Sequence, residues 1–129
     1  INDPFTAISV IYRLGRALPH AMMFRYPVGM WCDDDDIIRV QASLSDFTGM
    51  LGAAFDQIRQ SASAKPDVLL PMAEVLESLI KLSKTDHQST TLRDQARLIL
   101  RASERDIPEQ VDRKTVETAV NRILRDHKD

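Results

Sequence analysis

One cysteine, Cys32, stands in a chain of 129 residues, so no disulfide can form within it, as in chains of reducing compartments. Glycine and proline are also scarce, four and six residues, which leaves little room for a low-complexity linker. Neither sign of charge dominates: 17 basic against 19 acidic residues give a net charge of -2. A dedicated nucleic-acid-binding domain is normally basic, and beyond Tyr26 and Trp31 no aromatic platform for stacking bases is evident. No apolar run approaches the roughly 20 residues needed to cross a bilayer. The longest candidate, 8–18, is interrupted by Tyr12, Arg13 and Arg16. No signal peptide opens the chain, which begins directly on a polar helix cap.

The chemical signatures of a catalyst or metal centre are missing as well. His20, His87 and His127 form no i, i+4 pair, and none neighbours Cys32 in sequence, so no zinc site is expected. The glycines at 15, 29, 49 and 52 make neither a phosphate-cradling loop nor a nucleophile elbow. The run Asp33–Asp36 lacks the alternating oxygens, glycine and distal glutamate of a calcium loop, and reads as a solvated turn. No cofactor is expected. An enzyme would need acids such as Asp56, Glu74 and Glu77 to converge in space with perturbed titration.

What is present is helical periodicity in a chain whose 43% hydrophobic and 28% charged residues suit a globular domain. Asp3 followed by Pro4 predicts the start of a first helix, with Phe5, Ile8, Tyr12 and Gly15 on its inner face and an end or kink at Pro19. Gly15 is expected to let another helix approach closely. Two β-prone runs on either side of the acidic turn predict a small hairpin near residues 26–41. Ser45 or Asp46 then caps a second helix carrying Phe47, Leu51, Ala54, Phe55 and Ile58. Lys65-Pro66-Asp67 opens a third, with Leu69, Met72, Ala73, Leu76, Leu79 and Ile80 inward. Thr85 or Asp86 begins a fourth, with Leu92, Ala96, Ile99 and Ser103 inward, broken at Ile107-Pro108. Asp112 caps a fifth with Val116, Ala119, Val120 and Ile123. The expected fold is a single all-α domain over 1–129, a bundle-like set of about five helices with one hairpin. The methionines 22, 23, 30, 50 and 72 are read as core filler.

Asn2-Asp3-Pro4-Phe5-Thr6-Ala7, followed by Tyr12-Arg13-Leu14-Gly15, resembles the family of bacterial integral membrane proteins known as domain of unknown function 2254. Ala54–Gln60 is a second matching segment, and 107–113 a weaker third. The resemblance extends along essentially the whole chain, in the family's order. It implies a C-terminal part of a larger membrane protein, whose membrane-spanning helices lie upstream, in a bacterial cell membrane and with this part in the cytoplasm. The family supplies context without a mechanism.

Two surfaces are singled out, each with two readings. Asn2 and Asp3 cap and order the first helix, or join Asp56 and Arg59 in a polar cluster that binds a ligand or docks the upstream domain. Arg93, Arg97, Arg101 and Arg105 form an ordinary solvated helix face, paired with Asp94, Glu104 and Asp106, or a docking strip for anions such as lipid headgroups, extended by Arg122 and Arg125. The function that follows is a non-catalytic interaction or regulatory module, whose partners are the protein's own transmembrane region, a second copy, or an anionic membrane surface. The alternative is a ligand sensor gating an upstream channel or transporter.

Overall fold

A computed structural model describes residues 3–23, 30–32, 34–41 and 46–125. Five helices account for most of them: α1 (Pro4–Met23), α2 (Phe47–Ser61), α3 (Pro66–Leu82), α4 (Asp86–Asp106) and α5 (Gln110–Arg125). Between α1 and α2 the strands β1 (Met30–Cys32) and β2 (Ile38–Gln41) pair antiparallel, with Trp31 opposite Val40 and an irregularity between Trp31 and Cys32. The exposed acidic turn that joins them places Asp36 at φ 59°, a left-handed conformation that Asp tolerates better than most residues.

Caps fix the helix starts. The Asp3 carboxylate accepts the Phe5 N–H at 3.0 Å ahead of α1. Asp46 accepts the Gly49 N–H at 2.8 Å ahead of α2, and Thr85 Oγ1 accepts the Gln88 N–H at 3.1 Å ahead of α4. Each such bond satisfies a backbone donor that the helix leaves free, at a value of about 1 kcal/mol. The fifth helix starts two residues before the expected Asp112 cap, which instead occupies its first turn and complements the helix dipole there. Arg113 ties down the α4–α5 turn by donating to the Ile107 and Pro108 carbonyls at 2.8 and 2.9 Å.

Cross-helix bonds give the directions. Thr48 meets Thr91 and Asp56 meets Gln95, so α2 and α4 run the same way. Tyr12 meets Glu74, and the Met22 carbonyl accepts Gln88 Nε2–H just beyond the end of α3, so α1 and α3 share the opposite direction. The centre is α3, packed against α1, α4 and α5. Its nine buried residues include every inward position expected of it. One apolar cluster joins all five helices, from Ile11 through Phe55, Leu76 and Ile99 to Val120.

Two expectations for α1 need correction. The buried face is Ala7, Ile11, Leu18 and Met22, whereas Phe5 is 83% exposed and Tyr12 lies at the surface. The sequence offers apolar residues on two neighbouring faces, and burial selects the one beside Gly15. A Cβ added there would lie 2.9 Å from Val75 Cγ2, so the close approach of α1 to α3 was read correctly. Pro19 neither ends nor bounds the helix, which continues to Met23. Without an N–H it cannot donate to the Gly15 carbonyl four residues back.

Candidate functional site

The seam between α2 and α4 holds the densest group of polar side chains that sequence reasoning pointed to. Asp56 and Arg59, one turn apart on α2, form an ion pair at 2.9 Å. Arg59 is nearly buried at 12% exposure, while Asp56 is half-exposed at 44%. From α4, Gln95 donates its Nε2–H to the same Asp56 Oδ1 at 3.1 Å. Gly52 makes room for this carboxylate: a Cβ there would stand 3.1 Å from Asp56 Oδ2. Two buried atoms remain without a hydrogen-bond partner, Arg59 Nε and Gln95 Oε1, one a donor and the other an acceptor. A group that both accepts and donates suits such a pair, because burying either atom alone is costly. Nearer the start of α2, Thr48 Oγ1 lies 3.3 Å from His87 Nε2 and 3.2 Å from Thr91 Oγ1.

Of the four residues expected to form one cluster, Asp56 and Arg59 are brought together. Asn2 lies outside the described residues. Asp3 has both oxygens engaged at the start of α1, one with the Phe5 N–H and the other with the Thr6 hydroxyl at 2.6 Å. The Thr6 bond, helped by the backbone N–H groups of Phe5 and Thr6, holds the Asp3 carboxyl below the ordinary carboxylate range. Gln95 was missed. The available signal was its place beside Ala96 and Leu92 on α4, where a polar side chain borders the buried face.

The four arginines of α4 do not present one continuous strip. Arg93 Nε and Nη2 are buried and without partners. Arg97 is bound to Asp94 at 2.7 Å, Arg101 is exposed, and Arg105 clasps Asp106 at 2.8 Å. The last pair raises the arginine and lowers the aspartate, chiefly through the hydrogen bonds between them.

A groove of about 770 Å³ runs between α3 and α5, with Leu70 and Ala119 in its lining and Val111 and Thr118 along α5. Glu74 belongs both to this groove and to a smaller one between α1 and α3, where Tyr12 donates its hydroxyl to the Glu74 carboxylate at 3.0 Å. That bond raises the Tyr12 phenol. Arg122, also in the lining of the larger groove, bonds Glu77 at 3.1 Å. Among the described residues, no three His, Cys, Asp or Glu side chains gather as a metal site.

Residues 1–78 match the model of a family described as "Predicted membrane protein (DUF2254)". The match takes in the opening motif and Ala54–Gln60, and stops before the weaker resemblance at 107–113. No curated protein and no solved structure matches the chain. No described helix is long and apolar enough to cross a membrane.

Proposed function

The chain belongs to the DUF2254 family of predicted membrane proteins, and we propose that this part of it is a non-catalytic interaction module of a bacterial membrane protein. We assign it to the cytoplasmic side, with α3 and α5 receiving an α-helix from the protein's transmembrane region. The observation that carries this reading is the open α3/α5 groove, where Val111 is 77% exposed beside Leu70 and Ala119. Grooves of mixed apolar and polar lining accept amphipathic helices through anchors at i, i+3, i+4 and i+7. Lys114 on the rim offers a cation to an acidic flank of such a helix.

A photoreactive residue at Thr118 in the full-length protein, in membranes, tests this. Cross-links within one polypeptide to its transmembrane region support the proposed occupant. Cross-links between copies identify self-association instead. Absence of cross-links at Thr118, with a buried control position reacting normally, overturns the groove as a docking site.

A second reading, ligand sensing, is favoured by the unpartnered Arg59 Nε and Gln95 Oε1. A thermal-shift screen with nucleotides, cyclic dinucleotides, lipid headgroups and divalent ions addresses it. A saturating ligand at 100 times its dissociation constant adds about 2.7 kcal/mol. On this reading Arg59→Ala abolishes the shift, and a flat screen argues against it.

A further inference from the structure

We propose that the outer face of α1 is a docking surface for an anionic lipid bilayer. This goes beyond the α3/α5 groove and does not depend on its being occupied. Three observations converge on it. The first is charge. The 20 residues of α1 contain no Asp or Glu, yet carry Arg13 and Arg16, both exposed. Arg59, Arg97, Arg105 and Arg122 are each held by a carboxylate, whereas among the described residues none pairs with Arg13 or Arg16. The second is the placement of apolar side chains. At about 100° per residue, Phe5, Tyr12, Arg16 and Met23 fall within about 20° of one line along the helix. Phe5 is 83% exposed and Met23 70%. The line is about 27 Å long, with apolar groups toward both ends and the cations between and beside them. A helix that lies in a membrane interface combines cations for the headgroups with aromatic and apolar side chains for the acyl boundary. The third is membership of a membrane-protein family, which makes a bilayer a surface within reach.

The acidic groups nearby are consistent with this placement. Asp3 stands outside α1 as its cap, with its oxygens engaged. Glu74 sits in the α1/α3 groove as the acceptor of the Tyr12 hydroxyl. The exposed acids Asp34–Asp36 belong to the turn between β1 and β2, outside α1. The arginines of α4 serve less well, since Arg97 and Arg105 are neutralised by neighbours on their own helix and the Arg93 nitrogens are buried.

Co-sedimentation of the chain with vesicles tests the proposal, using phosphatidylcholine alone and phosphatidylcholine mixed with phosphatidylglycerol. Binding is expected to the mixed vesicles only, and to weaken with added salt. The Arg13→Gln/Arg16→Gln pair lowers the affinity roughly fivefold per arginine, and Phe5→Ser lowers it further. Arg97→Gln/Arg101→Gln leaves it unchanged. All these side chains are exposed, and circular dichroism melting confirms that each variant folds. Equal binding to both vesicle types, no binding to either, or insensitivity to Arg13→Gln/Arg16→Gln overturns the proposal. Loss of binding in the α4 variant instead of the α1 variant also overturns it and moves the contact to α4.

Discussion

At the residue scale, Gly15 and the Asp56–Arg59–Gln95 group make the clearest claims. A methyl at Gly15 would meet Val75 at 2.9 Å, and Val75 is buried and stiff at χ1 in its own helix. Gly15→Ala gains up to about 1 kcal/mol of helix propensity but incurs an overpacking cost of about 1–3 kcal/mol. The expected outcome is a net loss of about 1 kcal/mol in urea denaturation, reversed to a gain when Val75→Ala opens the space. A Gly15→Ala protein more stable than the parent contradicts the close α1–α3 approach. At the seam, Asp56→Ala removes the acceptor of two side-chain bonds and leaves Arg59 nearly buried without a counter-charge. A loss of about 1–3 kcal/mol is expected, smaller than for a fully buried pair because Asp56 is half-exposed. A double-mutant cycle with Arg59→Ala gives the coupling directly, and a coupling of zero denies the pair any stabilising role.

At the scale of elements, the helix caps were the most legible part of the sequence. Asp3 was readable outright, and the caps of α2 and α4 to within two residues (Ser45 or Asp46, Thr85 or Asp86), because a short polar side chain before an apolar period has a local mechanism. Thr85→Ala is expected to cost about 1 kcal/mol, measured as a lower urea midpoint with an unchanged m-value. The inner faces of α2 and α4 were legible for a similar reason, since each offers one apolar stripe, whereas α3 also buries Val68, Pro71 and Val75, which its expected inner face left out. On α1 the choice between the faces of Phe5 and of Ala7 depends on Val75, sixty residues away in sequence, and no local pattern encodes it. Pro19 does not end α1, although a strong local rule allows it, because Leu18 and Met22 are buried on either side of it and the helix continues to Met23. Replacing it tests that account. Pro19→Ala restores a backbone donor, offset by the extra freedom of the unfolded chain. The expected result is a stabilisation of about 1–2 kcal/mol, and a destabilised variant means that the ring itself packs favourably. The place of Gln95 beside the buried face of α4 was readable, but its pairing with Asp56 was not, because that depends on α2 and α4 running side by side in the same direction.

At the scale of the whole molecule, the helices are not equally embedded. α3 is surrounded by α1, α4 and α5 and buries nine residues. α2 buries four, rests on α4 and α1, and meets α4 through Thr48 and Asp56, side chains that water also satisfies. Local opening free energies follow the number of buried apolar contacts an element must break. Native-state hydrogen exchange is therefore expected to show the slowest amides in α3, approaching the global unfolding free energy, and α2 opening before α3. Leu51→Ala should lower both the opening and the global free energy, by about 2–5 kcal/mol, because Leu51 is fully buried in the shared cluster. Asp56→Ala should lower chiefly the α2 opening energy. If α2 and α3 exchange with the same free energy and respond equally to both substitutions, the bundle opens as one cooperative unit and the seam is not its weak edge. If α2 alone loosens, the half-exposed Asp56 and the unpartnered Arg59 Nε and Gln95 Oε1 lie at the place where a bound group changes the bundle most for the least free energy.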